Sequence, residues 1–246
     1  MGKRRTKWKS YTLALLFLVC SALLFLWYGM ASRREAVTTG GMGVTETKLI
    51  ALTFDDGPKR STTTALLDGL SQRGVCATFF LIGRNVDGNE DLILRMDQEG
   101  HQIGIHSTNH KTLTGLNQAD FYEEVGALRL RLETLLGHNS LLLRPPYGII
   151  DAGVKRMAEA PIILWSIDPE DWSDEDTARQ VSHIVSRAKD GDIILLHDIY
   201  PSSVETALQV VDSLLQEGFY FVTIDQLFAA KGIELKEGEV YMNAYT

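Results

Sequence analysis

Two cysteines in 246 residues give this chain almost nothing from which to build a disulfide framework. Cys20 lies in a long apolar run and Cys76 at the edge of an apolar strand pattern, so each reads as a small buried hydrophobe rather than one half of an intradomain bridge. The glycine signatures of dinucleotide-binding and P-loop folds are absent, and no internal repeat or low-complexity tract is visible. Past the N-terminus acidic residues outnumber basic ones. Lys3, Arg4, Arg5, Lys7 and Lys9 crowd the first nine residues, yet the chain as a whole still carries a formal charge of -8. The remainder is too acidic to follow a phosphate backbone by counterion release, which excludes nucleic acid and favours a neutral or cationic partner.

What is present divides the chain. Residues 1–10 form a basic tail, and residues 11–31 are apolar and free of charge. A helix of that length crosses a hydrocarbon core of roughly 30 Å. The basic residues before it and Trp27 and Tyr28 at its far end predict a single-pass anchor in the cell membrane, N-terminus inside and the rest outside. A cleaved signal peptide ending near Gly29-Met30-Ala31 is the competing reading, and both place the domain outside the cytoplasm. Residues 32–46, ending in Gly40-Gly41-Met42-Gly43, read as a flexible tether, and residues 47–246 as one folded domain.

In that domain short apolar runs alternate with helical spacing. Leu49–Phe54, Val75–Ile82, Gln102–His106, Leu141–Arg144, Ile162–Ile167, Asp192–His197 and Tyr220–Ile224 read as seven strands of a buried parallel sheet. Phe121, Val125, Leu128, Leu132 and Leu135 step along one face of a helix that Asn117 caps. Similar stripes run through Ala178, Val181, Ile184, Val185 and Ala188, and through Val204, Leu208, Val211 and Leu215, the last stopped by Gly218. The alternation predicts a closed or nearly closed β/α barrel, with an open doubly wound sheet as the alternative.

Polar clusters fall at the C-terminal ends of the predicted strands, where such barrels build their sites. Asp55-Asp56 follows the first. His106 and His110 follow the third at a spacing of four, which on a helical turn aims both rings at one metal. Two histidines and a carboxylate make a ligand set that leaves positions open for water and substrate. One aspartate of the pair can complete it while the other takes a proton from the attacking water. Arg144 is placed to pair with a carboxylate, and Pro145-Pro146 fix where Tyr147 and its backbone N–H point. His197, ending the sixth strand, suits a general acid, with Asp168 or Asp171 to orient it and Trp172 and Leu195 as an apolar wall. His101, His138 and His183 lack partners in the sequence and read as structural or exposed.

Five segments together carry a resemblance: Thr53-Phe54-Asp55-Asp56-Gly57-Pro58, His106-Ser107-Thr108-Asn109-His110, Arg144-Pro145-Pro146-Tyr147, Asp168 to Asp171-Trp172, and Leu195-Leu196-His197-Asp198. In content and order they resemble the motifs of the polysaccharide deacetylases, carbohydrate esterase family four, over about residues 47–230. The resemblance implies a distorted (β/α)7 barrel in which Asp55 is the base, Asp56, His106 and His110 hold zinc or a similar ion such as cobalt or nickel, and His197 is the acid. It also implies that Arg144 positions Asp55 and Asp171 tunes His197. Trp172 and Leu195 would hold the acetyl methyl, and the Tyr147 N–H would help bind the oxyanion. With an outward-facing domain, peptidoglycan amino sugars become the expected substrate. Two other readings compete: a glycan-binding module of the same fold without turnover, and a metal hydrolase of small linear amides.

Overall fold

The computed structural model describes residues 47–245. The expected basic tail, membrane anchor and tether lie outside the described residues, among which no helix is long and apolar enough to cross a membrane. The strands are β1 (Lys48–Asp55), β2 (Thr78–Leu81), β3 (Gln102–Ile105), β4 (Leu142–Leu143), β5 (Ile162–Ile163), β6 (Ile193–His197), β7 (Phe219–Phe221) and β8 (Val240–Tyr241). They form one parallel sheet in the order β6-β1-β2-β3-β4-β5-β8, with β7 paired to the first half of β1. A parallel bridge from Ile167 to Ile194 brings the segment after β5 back alongside β6. The helices between strands include α1 (Arg60–Arg73), α2 (Glu90–Gln98), α3 (Gln118–Phe121), α4 (Ala127–Leu136), α5 (Ala152–Met157), α6 (Thr177–Val185), α7 (Pro201–Gln216) and α8 (Ile224–Ala230).

Strand periodicity explains where the site forms. Successive side chains point to opposite faces. Ile50, Leu52 and Phe54 of β1, with Ile194 and Leu196 of β6, join the large core beneath the helices, while Ala51 and Ile193 join a smaller core on the other face. Thr53 and Asp55 follow Ala51 on that inner face, as Leu195 and His197 follow Ile193. The parallel register sets Asp55 opposite His197 at the C-terminal ends of their strands. Leu52 is wholly buried in the outer core. Leu52→Ala is therefore expected to lower unfolding free energy by about 2–5 kcal/mol, read by denaturant titration, through lost burial and the cavity left behind.

Several expectations need correction. The eighth strand, Val240–Tyr241, was not expected, because two residues after Gly238-Glu239 carry no readable alternation. The predicted second strand is shorter, since the Ala77 amide bonds His101 Nδ1 at 3.0 Å before the ladder begins. The predicted fifth strand stops at Ile163. There Arg144 takes two carbonyls that a ladder would use, Nε bonding Ile163 O at 3.1 Å and Nη2 bonding Leu164 O at 3.0 Å. Asn117 does cap a helix, accepting from the Asp120 amide at 3.0 Å. That helix is interrupted, however, by a π-helical turn at Tyr122–Gly126. On α7 the buried stripe runs through Ala207, Val210, Val211 and Leu214, leaving Leu215 exposed.

Candidate active site

The residues singled out in the sequence converge at the C-terminal ends of the strands. Asp55, Asp56, His106, His110, Tyr147, Trp172, Leu195 and His197 line one cavity of about 390 Å³, together with Trp165, Asp168 and Tyr200. Arg144 and Asp171 are buried behind this lining.

The adjacent aspartates are turned to different surroundings. Asp55 ends β1 and is clamped from behind: Arg144 Nη1 donates to its Oδ1 at 2.8 Å and to Thr53 Oγ1 at 2.8 Å. The guanidinium is fully buried and lies over Phe80, its Cζ 4.1 Å from the ring centroid. A charge so removed from water persists only when paired and hydrogen-bonded, and Asp55 supplies the counter-charge. Asp56 begins the turn with φ 75°, which swings its carboxylate away from the line of the strand. Its Oδ1 is buried without a hydrogen-bond partner, 3.6 Å from His106 Nε2 and 3.4 Å from His110 Nε2.

The histidines present the matching atoms. His106 Nδ1 lies 2.7 Å from the Arg144 carbonyl. A carbonyl only accepts, so Nδ1 carries the proton and Nε2 is left with its lone pair toward Asp56. Burial lowers the pKa of His110, against the pull of Asp56, which favours the neutral ligand form. The two residues do not share a helical turn, contrary to expectation. They flank an irregular loop in which Ser107 and His110 adopt positive φ of 63° and 57°. That loop, rather than helical spacing, brings the rings to a 5.0 Å centroid separation.

The three atoms from Asp56, His106 and His110 lie within 4.8 Å of one another. An orphaned carboxylate oxygen facing two imidazole Nε2 atoms at 3.4–3.6 Å fits a shared cation. Ligands of one tetrahedral ion at about 2.0–2.1 Å stand roughly 3.4 Å apart.

Across the cavity His197 is held twice by Asp171, through Nδ1 to Oδ1 and through its backbone N–H to Oδ2, each at 2.8 Å. Burial alone would lower its pKa. The hydrogen bond and charge of Asp171, aided by Asp55 and Asp56, overcome this and raise it to about 9. Asp171 is thus the aspartate that orients His197. Asp168 instead lines the cavity, its Oδ1 accepting from the Glu170 amide, with burial raising its pKa. Asp198, in the turn just past β6, packs against Gly57 and the Thr63 hydroxyl.

The cavity mouth is aromatic. Tyr147 at φ 63° is 62% exposed, and its ring meets His110 edge-on at 4.6 Å, while Trp172 is 57% exposed. Trp165 and Tyr200 were not assigned to the cavity from sequence, whereas Asp168, expected as one of two aspartates that could orient His197, lines the cavity without bonding that ring. Tyr200 follows the fifth motif in Asp198-Ile199-Tyr200-Pro201, where the proline marks the start of α7 and so the end of the short loop that carries Tyr200 from the strand end.

Residues 43–161 match the family model described as polysaccharide deacetylase. The chain is 37% identical over 184 residues to the peptidoglycan-N-acetylmuramic acid deacetylase PdaC of Bacillus subtilis, covering 75% of this chain but 39% of that protein, so it spans about two-fifths of that relative's length. A solved structure of the T48 deacetylase with substrate superimposes with a TM-score of 0.76 at 41% identity, covering 82% of this chain and all of the other. A family 4 acetyl xylan esterase from Clostridium thermocellum, in complex with a cobalt ion, matches with a TM-score of 0.76 at 28% identity over 80% of this chain and 98% of its own. Site, fold and similarity converge on one assignment: this chain belongs to the polysaccharide deacetylase family.

Proposed function

We propose that this chain hydrolyses acetamide groups on the amino sugars of a glycan outside the cell, with peptidoglycan as the leading substrate. One observation carries the reading: two adjacent aspartates divide between an arginine clamp and a pair of histidine Nε2 atoms, while a third histidine, held by Asp171, stands across the same cavity. Asp56, His106 and His110 would hold one divalent ion, zinc first, with cobalt or nickel suited to the same donors. Bound there, the ion supplies Lewis acidity toward the acetyl carbonyl and the attacking water.

The chain's own residues supply the rest. Arg144 holds Asp55 in place through Oδ1, leaving Oδ2 toward the cavity to take a proton from water. His197, its Nδ1 proton committed to Asp171, holds a second proton on Nε2 for the departing sugar amine. Leu195 and Trp172 form an apolar wall for the acetyl methyl, and the Tyr147 N–H is assigned to the oxygen of the tetrahedral intermediate. Exposed Tyr147 and Trp172 give a sugar ring faces to stack on, which a small linear amide would not use. The domain is read as a distorted (β/α)7 barrel, a reading supported by the Ile167–Ile194 bridge that draws the two ends of the sheet together. Residues 1–31 are read as a cytoplasmic tail and single-pass anchor, and 32–46 as a tether, with the catalytic domain facing the wall.

The test is acetate and free-amine release by the purified chain from insoluble peptidoglycan, chitooligosaccharides, acetylated xylan and simple acetamides. Equal yields of acetate and amine from a glycan support the reading. Turnover of simple acetamides alone moves the small-amide reading forward, acetate from xylan alone makes the enzyme an esterase, and binding without release leaves a glycan-binding module.

The pH dependence follows from His197. As an acid it works protonated, so the rate falls on the alkaline side as it loses that proton, and Asp171→Asn, which removes the charge that raises its pKa, moves this limb toward acid. The same shift affects stability. With a folded pKa near 9 against 6.5 unfolded, the stabilisation is complete below about pH 6.5 and disappears as the pH rises through 9. A wild-type alkaline limb that Asp171→Asn leaves in place would remove His197 from the acid role.

A further inference from the structure

The loop carrying both histidines has an anchor that none of the five motifs contains. Glu124 sits in the π-helical turn Tyr122–Gly126, between α3 and α4, and is only 4% exposed. Its carboxylate reaches the loop between His106 and His110. The Asn109 backbone N–H donates to Oε2 at 2.9 Å, the Asn109 side-chain amide donates to Oε1 at 3.1 Å, and Lys111 Nζ lies 3.3 Å from Oε1. The Glu124 backbone contributes as well, its carbonyl accepting from the Thr108 amide at 2.8 Å. On the loop's opposite side the Gly83 and Arg84 amides donate to the Ser107 and Thr108 carbonyls, each at 3.0 Å.

Such bracing is what the loop's conformation requires. Ser107 and His110 are non-glycine residues at positive φ. Left-handed backbone at such residues costs on the order of 1 kcal/mol or more and persists only where the surroundings over-determine it. An uninterrupted α-helix would close each turn with fewer residues. The wider π turn changes the angular position of residue 124 relative to its neighbours, and local π turns recur at functional sites. Phe121, Val125 and Leu128 remain buried on the core side while Glu124 faces the loop.

We propose that Glu124 is a positioning residue for the metal site, delivered by the π turn to lock the His106–His110 loop so that both Nε2 atoms face Asp56. This rests on the reading of Asp56, His106 and His110 as holders of a divalent ion. A carboxylate serving only the fold would affect stability alone, whereas one that sets ligand geometry controls ion affinity in a protein that is still folded.

The experiment measures zinc affinity by competition with a chromophoric chelator, and the visible spectrum of the cobalt-loaded protein, for wild type, Glu124→Ala and Glu124→Gln, each first shown by circular dichroism to be folded. Glu124→Ala is expected to weaken zinc binding about 10–100-fold, the usual cost of losing a group that orients a metal ligand, and to alter the cobalt spectrum. Glu124→Gln keeps one acceptor for the Asn109 N–H and should fall between. If Glu124→Ala does not fold, Glu124→Gln decides on the same two readouts. Folded variants with wild-type affinity and an unchanged spectrum overturn the proposal. Wild-type protein that binds neither ion overturns the metal reading itself, and this inference with it.

Discussion

Asp55→Asn is expected to lower acetate release from a glycan by about 10²–10⁴-fold, the range a positioned general base contributes. Asparagine keeps the shape and one acceptor for Arg144 Nη1, so the cavity and the Asp56, His106 and His110 set should survive and zinc should still bind. What would be lost is the group proposed to accept the proton. The substitution also strips the buried guanidinium of its counter-charge, so a lower melting temperature is expected alongside, and rates must be compared where both proteins are fully folded. A variant that keeps wild-type turnover while binding zinc would remove Asp55 from the base role.

Arg144→Met is expected to cost about 3–5 kcal/mol of unfolding free energy, the scale for breaking a buried ion pair from one side. The side chain is wholly buried, donates to Asp55 and Thr53, and occupies the Ile163 and Leu164 carbonyls where β5 breaks off. Removing it strands the Asp55 carboxylate and two carbonyls together. The double variant Asp55→Asn/Arg144→Met should be less destabilised than the sum of the single changes, because the second substitution no longer orphans a charge. Strict additivity in denaturant titrations would show that the pair does not act as a unit.

The candidate site was more legible than the structure around it, for physical reasons. Asp55, His106, Arg144, Asp171 and His197 each stand at or just past the end of an apolar run, and a parallel sheet converts that one-dimensional position into a shared location in space. The division of labour between Asp55 and Asp56 was not readable from the residues alone, since it depends on the φ of 75° at Asp56, and it came from the family resemblance. The same limit explains the histidine pair, where a spacing of four suggested a helical turn and the molecule uses a loop with two left-handed residues.

Glu124 was hidden inside a helical pattern whose apolar positions satisfy α and π geometry alike, because a step of four from Phe121 to Val125 fits either. Trp165 was absorbed into a predicted strand that Arg144 cuts short. Val240–Tyr241 is too brief for alternation to register. What escaped the sequence was therefore set by contacts between distant segments, while what could be read was set by strand period and strand end.

The most direct measurement of the central claim is amine and acetate release from N-acetylated glycan by the purified chain after exhaustive chelation and again after one equivalent of zinc is restored, with Asp55→Asn run beside it. The account predicts loss of both products on chelation, recovery with zinc, and little recovery in the variant despite bound metal. Undiminished release from fully metal-free protein, or full recovery in Asp55→Asn, would contradict it.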